Sequence, residues 1–126
     1  MNRIIVPGIS ICDLVAVARE ASQKILLIKK HAQLNITQKQ DSSPLTDADT
    51  AASEHILSRL KALDPSIPAI SEEKISTIPR SSSQYWLIDP LDGTREFVKG
   101  TSEYTVNIAL VKSMNSEFGV DRKRVV

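Results

Sequence analysis

The sequence predicts an α+β domain in which two N-terminal helices pack on a mainly antiparallel sheet. Apolar residues recur at helical spacing as far as Leu63, and from Ile67 onward they come in short runs or in strict alternation. A third observation locates the chemistry. The run Tyr85-Trp86-Leu87-Ile88 stops abruptly at Asp89-Pro90-Leu91-Asp92-Gly93-Thr94, so that an apolar strand ends in two carboxylates.

Bulk composition narrows the classes. At 126 residues the chain is one domain at most, with a net charge of +1 that implies no nucleic acid polymer as partner. Cys12 is the only cysteine, which excludes an internal disulfide and suits a reducing compartment. Met1 to Gly8 holds an apolar run too short for a signal peptide, and Ile25 to Ile28 is far below a membrane span. The expectation is a cytoplasmic protein, with peripheral association at a membrane surface left open.

Ser10 with Asp13 is an N-terminal capping pattern, after which Ile11, Leu14, Val15, Ala18, Ala21, Ile25 and Ile28 predict helix one, to about Lys30. His31 falls at its C-terminal end, where a cation is mildly favoured. Asn35 to Pro44 is polar and reads as a loop. Thr46 with Asp49 opens helix two, whose apolar face is Ala48, Ala52, His55, Ile56, Leu60 and Leu63. On that face His55 is expected to be a satisfied histidine of the core rather than a ligand. Asp64-Pro65 ends the helix, and Ile67 to Ile70 is a short strand leading to Glu72-Glu73, two acids that cannot both face inward. Lys74 to Gln84 reads as a loop over the site.

Tyr85 to Ile88 shows no alternation and predicts a strand buried on both faces. Asp89 and Pro90 then suit the first two positions of a type I turn, with Gly93 freeing the backbone after it. Such a turn aims Asp89, Asp92 and the Leu91 carbonyl at one spot, a hard-oxygen set that suits Mg²⁺. A helix starting at Thr94 and closed by Gly100 would turn the backbone N–H groups of Gly93 and Thr94 toward a phosphate. Thr105 to Val111 alternates, with Tyr104, Val106, Ile108 and Leu110 on one face. A turn at Ser113 to Ser116 predicts a hairpin into Glu117 to Val120, beyond which 121–126 is an atypical basic tail. If Tyr104, Val106, Ile108 and Leu110 lack a packing partner, the uncovered sheet predicts self-association.

The string from Tyr85 to Thr94 resembles the signature of the inositol monophosphatase superfamily, the Mg²⁺-dependent, lithium-sensitive phosphatases. Lys39 to Asp49, K-Q-D-S-S-P-L-T-D-A-D, and the run Arg95-Glu96-Phe97 are similar to the 3′(2′),5′-bisphosphate nucleotidase (CysQ-type) branch. The resemblance implies the N-terminal portion of the layered α/β sugar-phosphatase fold. Two or more Mg²⁺ ions would be held by Glu72, Asp89, Leu91 and Asp92, and an attacking water would be activated by Asp49 with Thr94. The substrate would touch Glu72, Leu91, Asp92, Gly93 and Thr94, and Li⁺ would inhibit. From the residues alone, Asp49 is equally a capping carboxylate. The implied activity is hydrolysis of a small phosphorylated substrate, adenosine 3′,5′-bisphosphate to AMP. An inositol or sugar monophosphatase and a non-catalytic remnant are the alternatives. A further metal-binding aspartate and most of the substrate pocket belong to the second half of such enzymes, so 1–126 reads as a single incomplete domain, inactive by itself.

Overall fold

A computed structural model describes residues 3–34, 44–71, 83–100, 104–114 and 122–125. A short hairpin comes first, β1 (Ile4–Val6) and β2 (Ile9–Ser10), joined through Pro7 and Gly8. Gly8 has φ 86°, the left-handed value a Pro-Gly turn of type II demands of its second central residue. Helix α1 (Ile11–Leu34) follows directly. Ser10 donates from both its N–H and Oγ to Asp13 Oδ2, at 2.8 and 3.0 Å, and the Asp13 N–H returns a 3.4 Å bond to Ser10 Oγ. This reciprocal cap satisfies orphan donors at the helix start, and the Ser10 N–H bond is the first cause of the lowered Asp13 pKa.

Helix α2 (Pro44–Leu63) begins three residues earlier than a cap at Thr46 predicts. Pro44 is suited to a first helical turn because the N–H it lacks has no intrahelical acceptor there. At the far end the Asp64 carboxylate accepts from the Ser66 N–H and Oγ at 2.9 and 2.6 Å, closing the turn and lowering the Asp64 pKa. Ala48, Ala52, Ile56 and Leu60 are buried as the helical spacing requires. On α1 the buried stripe is Val17, Ala21 and Ile25, whereas Val15 is 42% exposed. Helical spacing admits either valine, and contact with α2 and the sheet decides between them.

The sheet has the order β3-β4-β5-β6, from Ala69–Ser71, Gln84–Asp92, Thr105–Met114 and Arg122–Val125. β3 pairs parallel to β4, and the other two pairings are antiparallel, as expected of a mainly antiparallel sheet. Trp86, Ile88 and Leu110 are fully buried beneath the helices. Leu110 and its partly buried neighbours Tyr104, Val106 and Ile108 pack against the same core, so the face expected to lie uncovered is covered by α1 and α2. Self-association through that face loses its basis.

Two strand expectations change. β5 runs through Met114, and its partner β6 lies within the segment read as a basic tail, in register Val111↔Val125 to Met114↔Arg122. An edge strand needs backbone pairing on one side only and tolerates charged residues, so its composition hides it. The expected strand Glu117 to Val120 lies outside the described residues. Among those described, no helix is long and apolar enough to cross a membrane.

Candidate active site

β4 does not stop at Asp89. Its pairing continues from Ile88↔Ile108 and Asp89↔Asn107 to Asp92↔Thr105, which is three steps along β4 against two along β5. One extra residue on β4 is a β-bulge, and it replaces the expected type I turn. Pro90, which cannot donate to a ladder, sits inside the irregularity where its missing N–H breaks no regular bond.

The bulge has a chemical consequence. In an unbroken strand two residues three apart point to opposite faces. The extra residue instead sets Asp89 and Asp92 opposite Asn107 and Thr105, which are two apart and share a face. Asn107 Nδ2 donates to Asp92 Oδ2 at 3.2 Å and to Thr105 Oγ1 at 3.3 Å, tying the two strands together there. Leu91 puts its side chain into the core, at 3% exposure, which leaves its backbone carbonyl as the one group of this residue that could serve as a metal ligand.

Gly93 follows with φ 93°, a left-handed conformation that lets the chain leave β4 and enter α3 (Thr94–Val98) at once. The Phe97 N–H donates to the Gly93 carbonyl at 3.0 Å, and Gly100, with φ 83°, closes the helix through a 3.0 Å bond to the Phe97 carbonyl. Both ends are where the sequence places them.

These elements enclose a cleft of about 660 Å³. One wall is the first three turns of α2, with Leu45, Thr46, Asp49, Thr50, Ser53 and Glu54; the other runs from Ile88 to Thr94, and Ser71 at the end of β3 completes it. Asp49, Asp89, Leu91, Asp92, Gly93 and Thr94 therefore meet in one cavity although up to 45 positions separate them in the chain. Glu72, next after Ser71, lies outside the described residues, as do the Lys39 to Ser43 part of the nucleotidase-like segment and the loop 74–82. Among the described residues no three carboxylate, His or Cys side chains converge as a ready ligand cluster.

The sign of the cleft is its plainest property. Asp49, Glu54, Asp89 and Asp92 line it, and no Lys, Arg or His is among the described lining residues. Thr50, Ser53, Glu54 and Asn107 are absent from the sequence expectation. The first three follow Thr46 and Asp49 at helical spacing on α2, a polar stripe that periodicity could have revealed. Asn107 becomes visible only through its strand register.

His55 is placed otherwise. Its Nε2 lies 2.7 Å from Glu20 Oε1, and Arg59 Nε donates to the same oxygen at 3.0 Å. Both come from α2 and meet α1 outside the cleft. The histidine is satisfied by a carboxylate, as expected of a structural residue, although it is half-buried rather than central to the core.

Residues 10–120 match the model of the inositol monophosphatase family. The 3′(2′),5′-bisphosphate nucleotidase CysQ of Salmonella typhimurium is 42% identical over 113 residues, covering 87% of this chain and 45% of that protein. The Buchnera aphidicola CysQ is also 42% identical, over 112 residues that cover 40% of its length. The chain thus spans less than half the length of the curated relatives it matches. Among solved structures, CysQ from Bacteroides thetaiotaomicron superposes with a TM-score of 0.66 at 38% identity, covering 80% of this chain and 37% of that one. Inositol monophosphatase II from Staphylococcus aureus, at 21% identity and a TM-score of 0.65, shares the fold.

Proposed function

The chain belongs to the inositol monophosphatase family, and on that premise we propose that it supplies the metal-binding part of a Mg²⁺-dependent phosphomonoesterase acting on 3′-phosphorylated nucleotides. The observation that carries the reading is the four-carboxylate cleft without a basic lining residue among those described. Like charges held together in a partly enclosed space repel unless a cation lies between them. The donors are hard oxygens, two carboxylates of β4 and the Leu91 carbonyl, and that set fits Mg²⁺ better than a thiolate- or imidazole-seeking metal.

In this reading Asp89, Asp92, the Leu91 carbonyl and Glu72 would hold the ions. Mg²⁺, when bound, supplies positive charge against the phosphoryl oxygens and lowers the pKa of a coordinated water. Asp49 and Thr94 would orient the attacking water. As its oxygen bonds to phosphorus and the ester P–O bond breaks, its proton passes to the Asp49 carboxylate, and the leaving alkoxide is reprotonated from solvent. Gly93 and Thr94 position the phosphate. The choice of a nucleotide rests on Lys39 to Asp49, on Arg95 to Phe97 and on the names of the relatives. The remainder of the substrate pocket, and the further carboxylate that the family resemblance implies, are assigned to a second half.

The test joins this chain to the C-terminal half of the Salmonella relative and assays the hybrid with Mg²⁺. A higher kcat/KM for adenosine 3′,5′-bisphosphate than for inositol 1-phosphate is the expected result, abolished by Asp89→Asn. The reverse preference would move the assignment to the inositol branch. The chain alone is expected to release no phosphate, because loss of even a ligand-supporting group costs on the order of 10- to 100-fold in metal affinity or activity.

A further inference from the structure

We propose that Lys29 is a positioning residue whose ammonium, seated on the Phe97–Tyr104 ring pair, pins α3 and with it the Gly93–Thr94 end of the cleft. The consequence for phosphate binding rests on the functional reading above; the clamp itself does not.

Lys29 projects from α1 and is half-buried. Its Nζ lies over two rings, 5.8 Å from the centroid of Phe97 and 5.4 Å from that of Tyr104. The rings themselves meet edge to face, with centroids 5.6 Å apart and planes at 74°. That is the arrangement their quadrupoles favour, and a cation within about 6 Å of each is attracted by both. Phe97 is 5% exposed and belongs to the core cluster, and Tyr104 is partly buried against it. Removal from water strengthens such a contact.

The clamp matters because α3 cannot hold its own position. It is five residues long, far below the length at which a helix is stable alone. It is bounded by Gly93 and Gly100, both with positive φ, so its flanks do little to restrain it. What fixes it is Phe97, one turn after Thr94, and Lys29 closes over Phe97 while also holding Tyr104 at the entry to β5. The first helix is thereby coupled to a cleft whose described lining it does not join.

Lys29→Met keeps most of the apolar stem and removes the charge; Lys29→Arg keeps a cation able to stack on aromatic faces. Amide hydrogen exchange on the full chain reads α3 directly, through the N–H groups of Phe97, Lys99 and Gly100. Lys29→Met is expected to raise their exchange about tenfold, in the range of a partly desolvated cation–π contact. The Ile56 and Leu60 amides should stay unchanged, and Lys29→Arg should return α3 to within a few-fold of wild type. Unchanged α3 exchange in Lys29→Met would overturn the proposal. So would an equal rise at Ile56 and Leu60, or failure of the arginine to restore protection. Calorimetry with inorganic phosphate in saturating Mg²⁺ adds the functional readout: several-fold weaker phosphate binding in Lys29→Met with unaltered Mg²⁺ affinity. Equal phosphate affinity in both proteins would sever the clamp from the site. Wild-type chain that binds Mg²⁺ but no phosphate would refute the cleft as a phosphate site, and the exchange data would still decide the clamp.

Discussion

At the seam between α1 and α2 a single carboxylate, Glu20, meets two nitrogen groups of the neighbouring helix, whereas four carboxylates line the cleft with no basic group among the described lining residues. The two regions are built from the same helix. On its way from Pro44 to Leu63, α2 turns Thr46, Asp49, Ser53 and Glu54 to the cleft and Ala52, Ile56 and Leu60 to the core, with His55 and Arg59 against Glu20. The seam neutralises its charge internally and so contributes to folding. The cleft gathers acidic side chains without a basic lining residue among those described, an excess of one sign that suits a cation site. A fold can carry such a site because the core behind it is closed.

Truncating that core gives the largest expected effect. Leu60→Ala removes a fully buried side chain and should cost about 2–5 kcal/mol in urea unfolding. Its Mg²⁺ affinity, measured by calorimetry where the variant is still folded, should match wild type; a parallel loss would mean the two regions are one unit. Asp89→Asn should do the converse. Mg²⁺ binding is expected to fall by at least about 10- to 100-fold, while the unfolding midpoint stays level or rises as repulsion is relieved. Equal Mg²⁺ affinity in both proteins would remove the metal from the cleft. Asp121→Asn serves as the control and should alter neither quantity.

Gly93→Ala tests the turn by which β4 passes into α3 at the cleft. A side chain at φ 93° is strained, and a left-handed conformation costs a non-glycine residue roughly 1–2 kcal/mol. The loss should appear in thermal unfolding and be accompanied by weaker Mg²⁺-dependent phosphate binding. Strain without any change in ligand binding would place Gly93 outside the site. The smallest effect belongs to the seam. A hydrogen bond from His55 is the main reason the Glu20 carboxyl titrates below its ordinary value of 4.5, with Arg59 adding to it. Because the folded value is depressed, this contribution is fully present above about pH 4.5 and disappears as pH falls through the folded value. Urea midpoints followed from pH 6 to pH 3 should fall slightly more steeply for wild type than for Glu20→Gln. Parallel curves would show the solvent-screened pair to be inert.

Much of this layout is legible in the chain itself. Helix one and its Ser10–Asp13 cap, the buried stripe of helix two, the α3 boundaries at Gly93 and Gly100 and the string from Asp89 to Thr94 all depend on neighbours within a few positions. Local steric and hydrogen-bonding rules act over that range. Tertiary contacts alone settle the rest. Val17 and Val15 are equivalent to a periodicity count until α2 and the sheet press on one of them. Asp-Pro-Leu-Asp reads as a turn until β5 pairs across it and makes it a bulge, which turns Asp89 and Asp92 to the same side. Arg122 to Val125 has no strand signature, and its pairing with β5 comes from backbone groups that carry no side-chain code. Register and facing are properties of a pair of segments, so neither segment alone contains them.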